Sequence, residues 1–106
     1  EAALGPDHPN VARFVGNLGM ALKDIGNLTE ARQCFERALR IDEAAFGPDH
    51  PNVARDANNL GSALEALGAL AEARQCCERA LRIFTAFLGD DHPDTVTVRN
   101  NLKSLD

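Results

Sequence analysis

The chain has 106 residues, 44% hydrophobic and 25% charged, with a formal net charge of −5. That composition fits one globular domain and excludes an intrinsically disordered segment. The acidic balance, with acids and bases alternating rather than clustered, excludes a nucleic-acid partner, which calls for a basic face; no apolar run is long enough to cross a membrane, so no membrane partner is expected either.

Local preference points to helix throughout. Alanine is abundant, β-branched residues are few, and five Phe are the only aromatics, so the predicted class is all-α. Cys34, Cys76 and Cys77 are odd in number and two are adjacent, which reads as reduced thiols of a cytoplasmic protein rather than a disulfide framework. No signal peptide is visible, and the start at Glu1 is read as a boundary left by processing.

An internal repeat decides the architecture. GPDHPNVAR occupies Gly5 to Arg13 and again Gly47 to Arg55, and GDDHPDTVT begins at Gly89, a period of 42 residues both times. Laying residues 5–46 over 47–88 gives 28 identities in 42 positions. The expected organisation is a single array over 1–106. Residues 1–4 are the end of a preceding second helix, since EAAL matches EAAF at 43–46; 5–46 and 47–88 are two units; 89–106 is a terminal capping helix. Each unit cannot bury its apolar face alone and needs neighbours.

Five helices are predicted, near residues 9–25, 28–45, 51–67, 70–87 and 93–105. The first carries Val11, Phe14, Val15, Leu18, Leu22 and Ile25 at spacings of three and four. Pro9 suits the first helical position, because the amide proton it lacks has no partner there. Gly26 stops the helix as a residue tolerant of positive φ. The second helix begins at Asn27, with Glu30 placed for a capping box, and its apolar stripe is Leu28, Ala31, Phe35, Ala38 and Leu39. Arg32–Glu36 and Glu36–Arg40 are i,i+4 pairs on the outer side. The second unit repeats the scheme, with Ala69 in place of the capping Asn. The last helix is the most polar, carrying Arg99, Asn100, Asn101, Lys103 and Ser104. A polar outer face suits the end of an array, so Asp106 is expected near the natural C-terminus of a longer protein.

These residues resemble the tetratricopeptide repeat in its 42-residue, kinesin-light-chain-like form, which also occurs at the C-termini of bacterial NB-ARC-type NTPases. The resemblance covers essentially the whole chain. It rests on NLG-x-AL (Asn17 to Leu22, Asn59 to Leu64), then EAR, then ERAL, then LG-x-DHP. The family's small packing positions fall on Gly19, Ala31, Ala38, Gly61, Ala73 and Ala80. Its large aromatic on the second helix is Phe35 in one unit and Cys77 in the next, and the aromatic expected early in the first helix is absent (Val15, Ala57). The resemblance implies antiparallel two-helix units stacked into a right-handed superhelix, with first helices lining the concave face.

No catalytic, metal or cofactor site is expected, and the chain is not read as an enzyme. His8, His50 and His92 occupy one place in successive repeats. Stacked helices hold such residues roughly 8–10 Å apart or more, too far for ligands converging on one zinc ion, so a turn role is expected. The Asp-His pairs have no nucleophile, and GPDHP lacks the Lys-Ser/Thr ending of a phosphate loop.

The candidate site is a stripe on the first helices: Arg13, Asn17 and Met20, then Arg55, Asn58, Asn59, Ser62 and Glu65, then Thr97, Asn100, Asn101 and Ser104. Asn inside a helix is unfavourable by propensity, so another interaction must favour it. By the resemblance, the asparagines hold a bound peptide's backbone; alternatively they tie neighbouring first helices together. The function expected is a protein- or peptide-binding scaffold. The alternative is an oligomerisation module of a larger signalling NTPase or scaffold, self-associating through an exposed array end.

Overall fold

The computed structural model describes residues 8–105, and helix is their only regular structure. The helices are α1 (Pro9–Asp24), α2 (Leu28–Phe46), α3 (Pro51–Ala66), α4 (Leu70–Leu88) and α5 (Pro93–Lys103). Each lies within two residues of its predicted bounds. Successive helices pack on one another, α1 on α2, α2 on α3, α3 on α4 and α4 on α5, with a smaller contact between α1 and α3. The expected tail of a preceding helix at residues 1–4 lies outside the described residues.

Every first helix starts by one device. His8, His50 and His92 are extended, with ψ of 144°, 148° and 139°, because each precedes a proline. The proline takes the first helical position. The imidazole then caps the helix: Nδ1 accepts the backbone N–H of Asn10 at 3.1 Å, Asn52 at 3.0 Å and Asp94 at 3.1 Å. The turn role read from the sequence thus has a definite chemistry.

Both first helices of complete units end on a glycine at φ +87°, Gly26 and Gly68. The chain reverses with Gly26 N–H on the Lys23 carbonyl at 3.0 Å and Asn27 N–H on the Leu22 carbonyl at 2.8 Å, a Schellman closure. This corrects the predicted capping box. Asn27 makes no side-chain cap, and its own N–H, which Glu30 would have taken, is already spent on Leu22. Ala69 adopts the same backbone (φ −85°, ψ 70°, against −86° and 72° for Asn27), so the turn geometry does not depend on a capping side chain.

Within a unit the helices cross where side chains are smallest. Ala31, Ala38, Ala73 and Ala80 are fully buried. A Cβ on Gly19 would stand 2.7 Å from Phe35 Cε1, and one on Gly61 would stand 3.1 Å from Cys77 Sγ and 3.3 Å from the Ala73 carbonyl. The second crossing is therefore close even though Cys77 replaces the aromatic. Three apolar clusters result, one per interface region. The first unit is held by Val11, Val15 and Ile41, its junction with the second by Phe35, Leu60 and Leu64, and the far end by Val53, Ile83, Phe84 and Val98.

The predicted apolar stripe of α1 is split. Val11 and Val15 are buried, but Phe14, Leu18 and Ile25 are 80%, 53% and 77% exposed. The repeat equivalents of Phe14 and Leu18 are Asp56 and Leu60, which are buried. The α3 face is covered by the preceding α2; α1 has no such helix before it among the described residues. Of the two predicted pairs on α2, Arg32–Glu36 forms at 3.3 Å, and Arg32 also reaches Glu72 at 3.5 Å. On the side of the α2–α3 turn, Arg79 of α4 bonds Glu43 at 2.6 Å and the Pro48 carbonyl at 2.9 Å.

Candidate functional site

None of the twelve stripe residues is buried: Asn58, Asn59, Ser62 and Asn101 are half-exposed and the rest are exposed. The reason lies in helix periodicity. Residues three and four apart share a face, and the small residues Gly19, Gly61 and Ala63 turn the opposite sides of α1 and α3 into the packing.

The stripe borders three clefts rather than one. Arg13 and Asn17 edge a cleft of about 890 Å³ on α1, with Phe14 and Leu18 as its apolar lining. Met20, Asn59 and Ser62 meet across α1 and α3 around a recess of about 70 Å³, floored by Phe35. Arg55, Asn58 and Thr97 face one another across α3 and α5 in a cleft of about 330 Å³, with His92 and Asp94 at its rim. Eight stripe residues thus line these hollows; Glu65, Asn100, Asn101 and Ser104 line none of them.

Several stripe residues bind one another. Asn101 Nδ2 donates to Asn58 Oδ1 at 3.2 Å across α3 and α5. One rung of the asparagine ladder therefore ties first helices together. Ser104 Oγ reaches Glu65 Oε2 at 3.5 Å and donates to the Asn101 carbonyl at 2.7 Å. Thr97 Oγ1 donates to the Pro93 carbonyl at 2.9 Å, within its own helix. Arg55 turns partly inward, with Nη2 3.6 Å from Asp42 and 3.8 Å from Asp56.

No group of three His, Cys, Asp or Glu that could hold a metal ion occurs among the described residues. All three cysteines are free. Burial pushes each thiol up, Cys76 to about 11 with further help from Cys77 and Glu72. A thiol held protonated is a poor nucleophile.

Three buried polar groups went unremarked in the sequence: Asp42, Asp56 and Thr95. The signal was available in the repeat itself. Asp42 stands where the next unit has Phe84, Asp56 where α5 has Val98, and Thr95 where the earlier first helices have Val11 and Val53. Polar residues in the register of core positions mark these sites.

A tetratricopeptide-repeat family model matches residues 11–75 and 57–105, so the matches together run through all five helices. The chain belongs to the tetratricopeptide repeat family. Among solved structures it is similar to BtubC (BKLC) from P. vanneervenii, with a TM-score of 0.84 and 24% identity over 92% of this chain. This chain spans 39% of that one. At that identity the likeness concerns the fold. None of the curated proteins compared matches. Arrays of tetratricopeptide repeats are helical scaffolds for protein interaction. No helix among the described residues is long and apolar enough to cross a membrane.

Proposed function

We propose that the array binds an extended peptide segment of a partner protein along the first-helix face, without catalysis, in the cytoplasm. The observation that carries this reading is the pair of clefts between first helices, lined by Met20, Asn59 and Ser62 and by Arg55, Asn58 and Thr97. Asparagine offers two donors and an acceptor, which suits a peptide backbone more than any one side chain. Arg13 and Arg55 favour an acidic ligand; Glu65 and Asp94 oppose it. The domain organisation proposed alongside is a single array, with the end of a second helix at 1–4, units at 5–46 and 47–88 and a capping helix over 89–106.

A peptide selected by display panning against the chain provides the probe. Its titration should shift the side-chain amide resonances of Asn59 and Asn58, and Asn59→Ala should weaken it about five-fold, roughly 1 kcal/mol for one lost hydrogen bond. A selected peptide that shifts only α2 and α4 resonances would overturn the reading.

A second reading rests on a different surface. Phe14 and Leu18 expose an apolar cleft on α1, which suits self-association through the array end. Size-exclusion with light scattering decides it. A dimer that becomes monomeric on Phe14→Asp supports self-association, and a wild-type monomer at all concentrations excludes it.

A further inference from the structure

The junction between the two units buries a pair of acids where the following junction buries hydrocarbon. Asp42, late in α2, and Asp56, in the second turn of α3, are 1% and 2% exposed. Forty-two residues on, Phe84 and Val98 hold the same places between α4 and α5, inside one apolar cluster. The fold therefore accepts an apolar pair at this position, and the acids are a property of this one junction.

The two carboxyls lie beside one arginine and near each other. Asp56 lies within hydrogen-bond reach of the Asp42 side chain. With both ionised, the buried Oδ2 of each has no donor, because a carboxylate only accepts. One cation serves both, Arg55, at 3.6 Å from Asp42 and 3.8 Å from Asp56. Two carboxylates with one guanidinium leave a buried negative charge; one shared proton makes the cluster neutral.

Among the described residues, the surroundings do not supply a second cation. From α2, Glu43 adds negative charge, and Arg79 of α4 already holds it at 2.6 Å. From α1, the residues packed on this end of α2 are Val11, Ala12 and Val15, while Arg13 edges the outer cleft. From α5, His92 and Asp94 line the cleft in front of Arg55. His50, at the head of α3, uses its Nδ1 to cap that helix and stacks on Phe46. Burial first, then the hydrogen bond to Asp42 and its charge, raise Asp56 from 3.8 to about 8.

We propose that Asp42 and Asp56 share one proton and act as a pH-sensitive latch between the two repeat units, closed while the proton is held and loosened when it leaves. The α4–α5 junction, with Phe84 and Val98, has no such response.

The sign follows from linkage. Asp56 is raised above its unfolded value, so between about pH 4 and about pH 8 the folded chain holds a proton that the unfolded chain has released. The stabilisation is complete below the unfolded value and declines as pH rises through the folded one, and above that both states are ionised. One proton corresponds to a change of up to roughly tenfold per pH unit in the unfolding constant.

Infrared spectroscopy of the folded chain tests the proton directly. A protonated-carboxyl C=O band should be present at pH 6, absent at pH 9 and missing from Asp56→Asn at both. Unfolding midpoints from pH 5 to pH 8 should fall more steeply for wild type than for Asp56→Asn or the double variant Asp42→Phe/Asp56→Val. No such band in folded wild type at pH 6 overturns the proposal, whether or not the variants fold; so do parallel wild-type and variant curves.

Discussion

At the residue scale, histidine does the work that serine or aspartate does at most helix starts. The imidazole of His50 accepts from Asn52 N–H at 3.0 Å and its ring stacks on Phe46 at 4.4 Å between centroids. His50→Ala should cost about 1 kcal/mol, the usual loss for a helix cap. His50→Asn keeps an acceptor at that point and should recover most of it. Chemical denaturation of the two variants checks this, and equal midpoints would assign the loss to the ring stack instead. Thr95 behaves in the opposite sense. Its hydroxyl is buried without a partner, in a place where Val11 and Val53 serve. Thr95→Val should raise stability by about 1 kcal/mol, the lower end of the cost of an unsatisfied buried group; a lower midpoint would mean that the hydroxyl bonds something in solution.

At the element scale, the determining feature is how near α3 comes to α4. Ala73 is fully buried, and its carbonyl would lie 3.3 Å from a Cβ placed on Gly61. Ala73→Leu must push the helices apart, costing roughly 1–3 kcal/mol. The five described helices have few interfaces to share that loss, so thermal unfolding should show it plainly. An unchanged melting temperature would place the close crossing elsewhere. The helix limits themselves were legible from single residues. Pro9, Pro51 and Pro93 fix the starts by removing a donor that needs no partner, and Gly26 and Gly68 fix the stops by entering positive φ. The capping box at Asn27 was misread because a sequence motif does not reveal that its backbone N–H already belongs to the preceding turn.

At the scale of the whole molecule, the twelve stripe residues do not form one equivalent set. Asn101 is engaged by Asn58, while Asn59 borders the recess between α1 and α3. The two asparagines should therefore separate on mutation. Asn101→Ala should lower stability by about 1 kcal/mol through the lost tie between α3 and α5. Asn59→Ala should leave the unfolding midpoint within about 0.5 kcal/mol of wild type, as for most surface changes, and act on peptide binding. Denaturation and titration with the selected peptide, run on both variants, read the two effects independently. A common response would return the ladder to a single role.

The 42-residue period, the helix limits and the alternation of small and large apolar residues were sufficient to determine the architecture, because each depends on near neighbours in the chain. Local spacing could not say which face of α1 or α3 would be covered. Phe14 and Asp56 hold equivalent places, yet the phenylalanine is exposed and the acid buried. The stacking of α2 on α3 buries the acid; among the described residues no helix lies on the corresponding face of α1. The same stacking brings Asp42 and Asp56, fourteen positions apart in the chain, into a buried cluster beside one arginine. Burial and proximity are properties of the assembled interfaces, and they set the charge state that the sequence leaves open.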